Sequence, residues 1–368
     1  MKETIFITGA TGFLGSYLLR KLLHYKNHTI GNIIALSRGE TQKETERRVR
    51  QSLWGQLPLR QKRGLISLLE VVRGDIAKEN LGLSKAAYNR IIKKVTIIYH
   101  SAAICEFGVP LPVIRKTNVD GTRNVLELAL ACKKQGGFKR FHHISTVAVA
   151  GDRKGVFYEN ELDLGQKFNN TYEQSKFEAE KMGERYRDKG LPITTYRPSI
   201  IVGDSSTGYT NNFKMLYQPL HLFCMELYKE IPASGNTFFS FVPVDYTAEA
   251  IIRISLDNCA GNHSVYHITN PNETNFGYFL DMACKYFKFR KPVLTPGEKF
   301  SFEKYTPLQI ELLKPFIPYF NYKVRFDASN AQKILKKTNF KWPKVNAQFL
   351  RRLFKFCVKS GFIRRKRK

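Results

Sequence analysis

The sequence lacks paired cysteines and long apolar runs. Its six cysteines are scattered, with no C-x-x-C pair: Cys105, Cys132, Cys224, Cys259, Cys284 and Cys357. That spacing argues against a zinc site or a disulfide framework and fits a reducing cytosol. No apolar run approaches the roughly 18 residues of a spanning helix. The N-terminus enters a glycine loop at once, so we expect no signal peptide and a cytoplasmic location.

Acidic side chains are also scarce. The 368 residues carry 60 Lys and Arg against 31 Asp and Glu, a formal charge of +29. Such a field attracts polyanions, or it is only a lysine-rich solvated surface. Nucleic acid is not favoured, because a basic charge alone, without a shaped groove and stacking aromatics, does not indicate its recognition.

The basic C-terminal tail has apolar residues at 349, 350, 353, 354 and 357, which is helical spacing with a basic opposite face. Two placements stay open for this tail. It could contact an anionic membrane peripherally, or it could dock on the body of the protein.

What the sequence does contain is a regular alternation. Short apolar, β-branched runs are separated by helical patterns through the first two hundred residues, which predicts an α/β fold with a Rossmann-type, doubly wound parallel sheet. The predicted strands are Thr4–Thr8, Asn32–Ser37, Leu68–Gly74, Val95–Ala103, Arg140–Ser145 and Pro192–Gly203.

The first strand runs directly into "TGATGFLG", in which Gly9, Gly12 and Gly15 precede a helical pattern. The first glycine allows a tight turn, the second lets a pyrophosphate approach the backbone, and the third lets the helix pack closely. This loop predicts a dinucleotide site. Its expected cofactor-binding residues are Gly9, Thr11, Gly12, Phe13, Leu14 and Gly15.

The second strand ends in Ser37-Arg38-Gly39, where an NAD site usually has a carboxylate for the ribose diol. An arginine there can hold a 2′-phosphate bidentately. We therefore expect NADP(H), read by Arg38 with Arg47 or Arg48 assisting. Further cofactor contacts are expected at the ends of the third and fourth strands: Asp75, Ile76, Ser101, Ala102 and Ala103.

After Gly203 the pattern changes, and a strand-like lead-in with an amphipathic helix returns near Val242. We predict a nucleotide-binding domain over 1–205 to which 240–270 return. Residues 206–239 and 271–368 would then form a smaller, mostly helical substrate-binding region.

Seven motifs occur in the order and spacing of an extended short-chain dehydrogenase/reductase: "TGATGFLG", "GDI", "YHSAA", "NVDGTRNVLELA", "ISTVAVAG", "YEQSK" and "YRPSIIVGDSSTG". Over residues 4 to 270 the chain resembles, more narrowly, thioester reductase domains and fatty acyl-CoA reductases. It departs from them at Thr171 and Phe177, where Gly and Trp are usual.

The resemblance implies a catalytic set. Tyr172 and Lys176 share a helix face at i, i+4, and the lysine is expected to lower the pKa of the phenol and to hold the nicotinamide ribose. Thr146, with Ser145 as the alternative, would hydrogen-bond the substrate carbonyl. Asn118 would support the lysine, or it is only a helix cap.

The resemblance also implies that Pro198, Ser199 and Ile200 lie beside the nicotinamide ring. Cys105 has no evident histidine base and is expected to be a buried small residue.

The expected activity is NADPH-dependent hydride transfer to an acyl thioester, giving aldehyde or alcohol. The thioester would be carried on coenzyme A or on an acidic acyl-carrier protein, and the enzyme would be a monomer or dimer. The alternative is a nucleotide-sugar epimerase/dehydratase or a hydroxysteroid-type dehydrogenase on the same fold. A sensor or RNA-binding protein that has lost its catalytic residues is a third class, which the intact set disfavours.

Overall fold

The computed structural model describes residues 2–25, 29–54, 66–256, 265–272 and 274–364. Cys259 and the last four residues lie outside them. The strands are β1 Glu3–Thr8, β2 Ile30–Ser37, β3 Leu69–Arg73, β4 Ile97–His100, β5 Arg140–Ile144, β6 Gly155–Phe157, β7 Ile193–Pro198, β8 Ile200–Val202, β9 Glu230–Pro232, β10 Phe238–Phe239, β11 Phe241–Pro243, β12 Val265–Ile268, β13 Thr274–Asn275, β14 Val293–Thr295 and β15 Val324–Phe326.

The α-helices are α1 Phe13–Leu23, α2 Gln42–Trp54, α3 Lys85–Lys94, α4 Leu111–Arg115, α5 Gly121–Lys134, α6 Thr171–Asp188, α7 Tyr217–Cys224, α8 Val244–Leu256, α9 Phe276–Phe287, α10 Pro307–Leu313, α11 Ile317–Phe320, α12 Ser329–Lys337 and α13 Ala347–Lys359. A π-helical stretch, Lys116–Asp120, joins α4 to α5.

Seven strands form one parallel sheet in the order β12-β7-β5-β4-β1-β2-β3. Alternate residues of β1 face opposite sides. Ile5 and Ile7 pack with α1 and α8, and Phe6 packs with α5. Both faces are therefore covered, as the continuous apolar strands predict. The predicted Rossmann-type sheet is confirmed.

The predicted strand Pro192–Gly203 is wrong as a single element. β7 ends at Pro198 in the large sheet, and β8 pairs instead with β11. The break is at Ser199, whose hydroxyl donates to the Ser240 carbonyl at 2.8 Å. The chain thus changes sheets at the site where three cofactor-contact residues were predicted.

A second, phenylalanine-rich core lies beyond the sheet and is built from α7, α9 and α13. The apolar face of the tail helix α13 is part of it, with Phe349, Leu350, Leu353, Phe354 and Cys357 buried. Burial stabilises each large apolar side chain by about 1.5–3 kcal/mol. Of the two placements that the tail left open, docking on the body is observed, so this apolar face is not available to a membrane. In the described parts of the chain, every helix is too short or too polar to cross a bilayer.

Other C-terminal segments pack on the large sheet itself. Residues of α12 join the apolar cluster around β1 and α8, and the buried Glu159 carboxylate accepts from the backbone amides of His267, Asn330 and Ala331. The predicted division into two regions is not tested by these contacts and stays a prediction.

A buried ion pair connects α6 to β7. Arg197 and Glu180 are only 1% and 3% exposed, and the guanidinium donates three hydrogen bonds to the carboxylate at 2.7 to 3.1 Å. A fourth bond reaches the Glu161 carbonyl at 2.8 Å. The pair locks the helix that carries Tyr172 and Lys176 to the sheet.

Candidate active site

The glycine turn lies at the carboxyl end of β1. Gly9 has φ +74°, and a Cβ there would lie 2.6 Å from the Ala102 nitrogen. At Gly15 a Cβ would lie 2.0 Å from the Gly9 carbonyl oxygen, so only glycine lets α1 pack this closely. These are the roles that the motif predicts.

A pocket of about 700 Å³ opens over this turn. The predicted residues that line it are Gly9, Thr11, Gly12, Arg38, Asp75, Ile76, Ser101, Ala102 and Ala103. Of the other residues predicted in the loop, Leu14 and Gly15 are buried in α1, and Phe13 packs edge-on against Tyr17; none of these three lines the pocket. The shape and the open backbone fit a dinucleotide.

A second, polar pocket of about 480 Å³ adjoins the first and shares Arg38, Gly74 and Asp75 with it. Arg73 and Lys78 also line it, so three cations surround one space. The sequence reasoning missed these two. For Arg73 a signal was available in the sequence, because it lies near the end of the predicted third strand, two residues before Asp75. Arg48 lies behind Arg38, donating to its carbonyl at 2.9 Å, and lines neither pocket.

A cleft of about 1200 Å³ begins one residue past the nucleotide pocket, where Ile104 of the pocket is followed by Cys105 of the cleft. Thr146, Tyr172, Pro198, Ser199 and Ile200 line this cleft, as do several aromatic side chains: Phe107, Phe238, Phe239, Tyr319, Tyr322 and Phe326. Its walls suit an apolar group.

Tyr172 and Thr146 meet in this cleft. The Thr146 hydroxyl accepts from the Ala148 amide at 3.2 Å, and Thr146, Tyr172 and Cys105 all line the cleft. Burial, followed by Cys105, raises the pKa of Tyr172 well above its usual value. With the protein groups alone, the lowering expected from Lys176 is not found. Cys105 is exposed to the cleft and not buried as expected.

Lys176 and Asn118 lie behind the tyrosine. The Lys176 ammonium donates to the Ile144 carbonyl at 2.9 Å, and burial lowers its pKa. Asn118 lies inside the π-helical stretch and is not a helix cap. Its amide donates to Ile104 and to Ser175, each at 2.9 Å. Asn118 therefore connects Ile104, in the loop between the nucleotide pocket and the cleft, to Ser175, which precedes Lys176. It makes no hydrogen bond to Lys176 itself among the described residues.

The cleft also holds polar atoms that the protein does not satisfy. Seven buried side-chain polar atoms lack a hydrogen-bond partner within the described residues, and three of them line the cleft: Ser145 Oγ, Asn212 Oδ1 and the Tyr322 hydroxyl. Buried polar groups are normally paired, so such a concentration indicates contacts to a ligand.

Four buried histidines lie on β4, β5 and β12, and one of them, His143, lies 3.4 Å from the Lys176 ammonium. His100 and His142 have pKa values lowered to about 3 by burial, as has His267, and burial lowers the pKa of His143 well below its usual value. The hydrogen bonds of His100 to Thr8 and Thr122, at 2.8 and 3.0 Å, need only a neutral ring.

We expect stability to fall as the pH drops below about 6.5. A histidine whose folded pKa is depressed stabilises the fold above its unfolded pKa, and this is lost as the unfolded chain takes up protons. Glu159 and Glu173, with pKa values raised to about 7 by burial, oppose this between pH 4.5 and 7. Burial also raises the pKa values of Glu184 and Asp245, which act in the same direction as the two glutamates. The net uptake by the unfolded chain is therefore at most about two protons, of the order of 2–3 kcal/mol per pH unit.

The measurement is the melting temperature between pH 7.5 and 5. His142→Phe removes one titrating ring. The dependence of the free energy of unfolding on pH should then fall by the equivalent of about one proton. A melting temperature that stays constant from pH 6.5 to 5 would contradict the linkage.

Comparison with known proteins decides the family. A family model described as "Male sterility protein", of the NAD-binding type, matches residues 7–251. The chain belongs to this family. The predicted likeness to extended short-chain dehydrogenases/reductases with thioester reductase character is thereby confirmed, and NAD(P) binding with it.

Three individual proteins are similar to this member of the male sterility protein family. Aldehyde reductase lnaA of Aspergillus flavus is 33% identical over 73% of this chain and 26% of its own length. Carboxylic acid reductase of Mycobacterium tuberculosis is 28% identical over 75% of this chain and 25% of its own. The crystallised terminal R domain of the myxalamid PKS-NRPS pathway is 26% identical, with a TM-score of 0.81 over 100% of this chain and 93% of that one. The chain thus spans about a quarter of the length of those two curated relatives.

Proposed function

We propose that this protein is an NADPH-dependent reductase that converts an acyl thioester to an aldehyde or alcohol. One observation carries the proposal: Thr146 and Tyr172 line the same apolar cleft, which begins where the nucleotide pocket ends. The names of the two reductases and of the R domain among the similar proteins support the same reaction class.

The bound reduced dinucleotide would supply the hydride. The chain's residues would do the rest. Thr146 and Tyr172 donate hydrogen bonds to the carbonyl oxygen as negative charge develops on it, and Tyr172 delivers the proton. Lys176 would hold the ribose and offer positive charge near the phenol, and Asn118 would keep the intervening loop in place. The resulting hemithioacetal collapses to thiol and aldehyde, and a second round would give the alcohol.

The preference for NADP(H) rests on Arg38, Arg73 and Lys78 around the adjoining polar pocket. No carboxylate stands at the end of β2, where a ribose diol would need one. We expect Arg38→Asp to lower the ratio of kcat/KM for NADPH over NADH by about 10- to 100-fold, the loss of a charged hydrogen-bonded pair.

Steady-state kinetics with both cofactors checks this. Arg47→Asp, an exposed charge reversal on α2 that lines neither pocket, is the matched control. An unchanged ratio in Arg38→Asp would mean that the 2′-phosphate is read elsewhere.

The proposed activity is tested by mass spectrometry of products. Purified protein and NADPH are incubated with a panel of acyl-CoA and acyl-carrier-protein thioesters, with a UDP-sugar and a hydroxysteroid as controls. Aldehyde or alcohol together with free thiol supports the proposal. Turnover of only the UDP-sugar or the hydroxysteroid would favour the alternative enzymes on this fold.

A further inference from the structure

A third pocket adjoins the reaction cleft at its outer end. It has a volume of about 540 Å³ and shares Phe238, Tyr322 and Val324 with the cleft. A ligand can therefore extend from the reacting centre into this space, which we call the outer pocket. Its remaining lining residues are Ser234, Asn236, Thr237, Asn321, Lys323 and Arg325.

The outer pocket is positively charged. Lys323 directly precedes β15 and Arg325 is its second residue, and both are exposed. No ion pair within the described residues engages either one, and no carboxylate lines the pocket. The Arg325 guanidinium lies 4.4 Å above the centre of the Phe238 ring, so its position is fixed by a wall that the two spaces share.

Hydrogen-bonding groups accompany the charges. Tyr322, whose buried hydroxyl has no partner among the described residues, is one of the residues that line both the outer pocket and the cleft. The Ser234 hydroxyl accepts from the Asn236 amide at 3.3 Å and keeps its own proton for a ligand. Two cations with neutral donors around them suit an anion with several oxygens, such as a phosphate.

Lys214, another cation of the cleft, is a weaker candidate. Its ammonium lies 2.9 Å from the Glu106 carboxylate, so its charge is already balanced. The uncompensated positive charge is at the outer pocket. A phosphopantetheine thioester has its phosphate at the end opposite the acyl group. The phosphate end of the substrate is therefore expected at the outer pocket and not at Lys214.

We infer that the outer pocket binds the phosphate of the pantetheine arm, with Lys323 and Arg325 as its ligands. The inference rests on the proposed thioester reduction. It places the binding site for the substrate's phosphate away from the reacting carbonyl carbon. The same chemistry is presented by free coenzyme A and by a carrier-bound phosphopantetheine arm.

The test compares three thioesters of one acyl group with NADPH: acyl-CoA, acyl-phosphopantetheine and acyl-pantetheine, which lacks the phosphate. In the double variant Lys323→Ala/Arg325→Ala, KM should rise about tenfold for the two phosphorylated substrates and stay unchanged for acyl-pantetheine. The kcat values and the KM for NADPH should not change. Lys336→Ala/Lys337→Ala, which removes two charges of α12 away from both spaces, is the control.

Each outcome decides the matter. A rise for both phosphorylated substrates supports the inference. A rise for acyl-CoA alone overturns it, because the two cations would then contact the nucleotide part of coenzyme A and not the phosphate of the pantetheine arm. Equal changes for all three substrates, or none, overturn the inference and leave the proposed function standing. A wild-type enzyme that reduces none of the three overturns both.

Discussion

Replacing Tyr172 by phenylalanine is expected to lower kcat about a thousandfold, in the range for loss of a general acid. Tyr172 lines the cleft together with Thr146, and its phenol is the hydroxyl that the catalytic motif places four residues before Lys176. The aromatic ring stays, so the packing against Phe107, 6.2 Å away, is kept. The measurement is single-turnover reduction together with NADPH affinity by fluorescence titration.

Tyr319→Phe is the matched control for this variant. Tyr319 lines the same cleft, but its hydroxyl accepts from Asn170 at 2.6 Å and donates to the buried Glu173. We expect a change of only a few-fold. If Tyr172→Phe kept the wild-type kcat, the acid would have to be sought elsewhere; if it lost NADPH affinity, the role would be binding and not proton transfer.

Glu180→Gln is expected to give the largest loss of stability, about 3–5 kcal/mol, because it leaves the buried Arg197 charge without its counterion. The two side chains are 1% and 3% exposed, so solvent cannot compensate. The free energy of unfolding from urea titration measures the effect. Because Tyr172 lies on the same helix, we expect Glu180→Gln to lose activity at a lower temperature than the wild-type protein.

The control for this change lies on the same helix. Glu178 pairs with Arg115 at the surface, where the two side chains are 25% and 43% exposed. Glu178→Gln should cost less than about 1 kcal/mol, as exposed pairs do. Equal losses of unfolding free energy in the two variants would show that burial does not increase the contribution of the Arg197–Glu180 pair to stability.

Residues that act through the backbone were the most predictable from the sequence. Gly9 and Gly15 follow from one short motif because a tight turn and a close helix leave no room for a side chain. Tyr172 and Thr146 were placed by motif spacing, and the structure brings them together. Their catalytic roles remain predictions, since geometry alone does not test them.

Properties that depend on distant partners could not be predicted. The sequence gives no sign that Cys105 lines the cleft together with Tyr172, that burial raises the pKa of this phenol, or that Arg48 supports Arg38 from behind. Each is decided by which loops the fold brings together. The outer pocket was equally hidden, because β15 and β10 come from separate parts of the chain.

The tail helix has a consequence for the cleft. Phe213 lies between Phe356 and Phe362, with ring centres 6.2 and 4.3 Å away, and its neighbours Asn212 and Lys214 belong to the cleft wall. Any trimming of the chain behind α13 that removes Phe362 would take away half of this aromatic clamp. A truncated variant made for solubility should therefore keep all residues up to 364. A shorter variant that lacks Phe362 would loosen the segment around Phe213 in the cleft wall and leave the glycine turn of the nucleotide pocket unchanged.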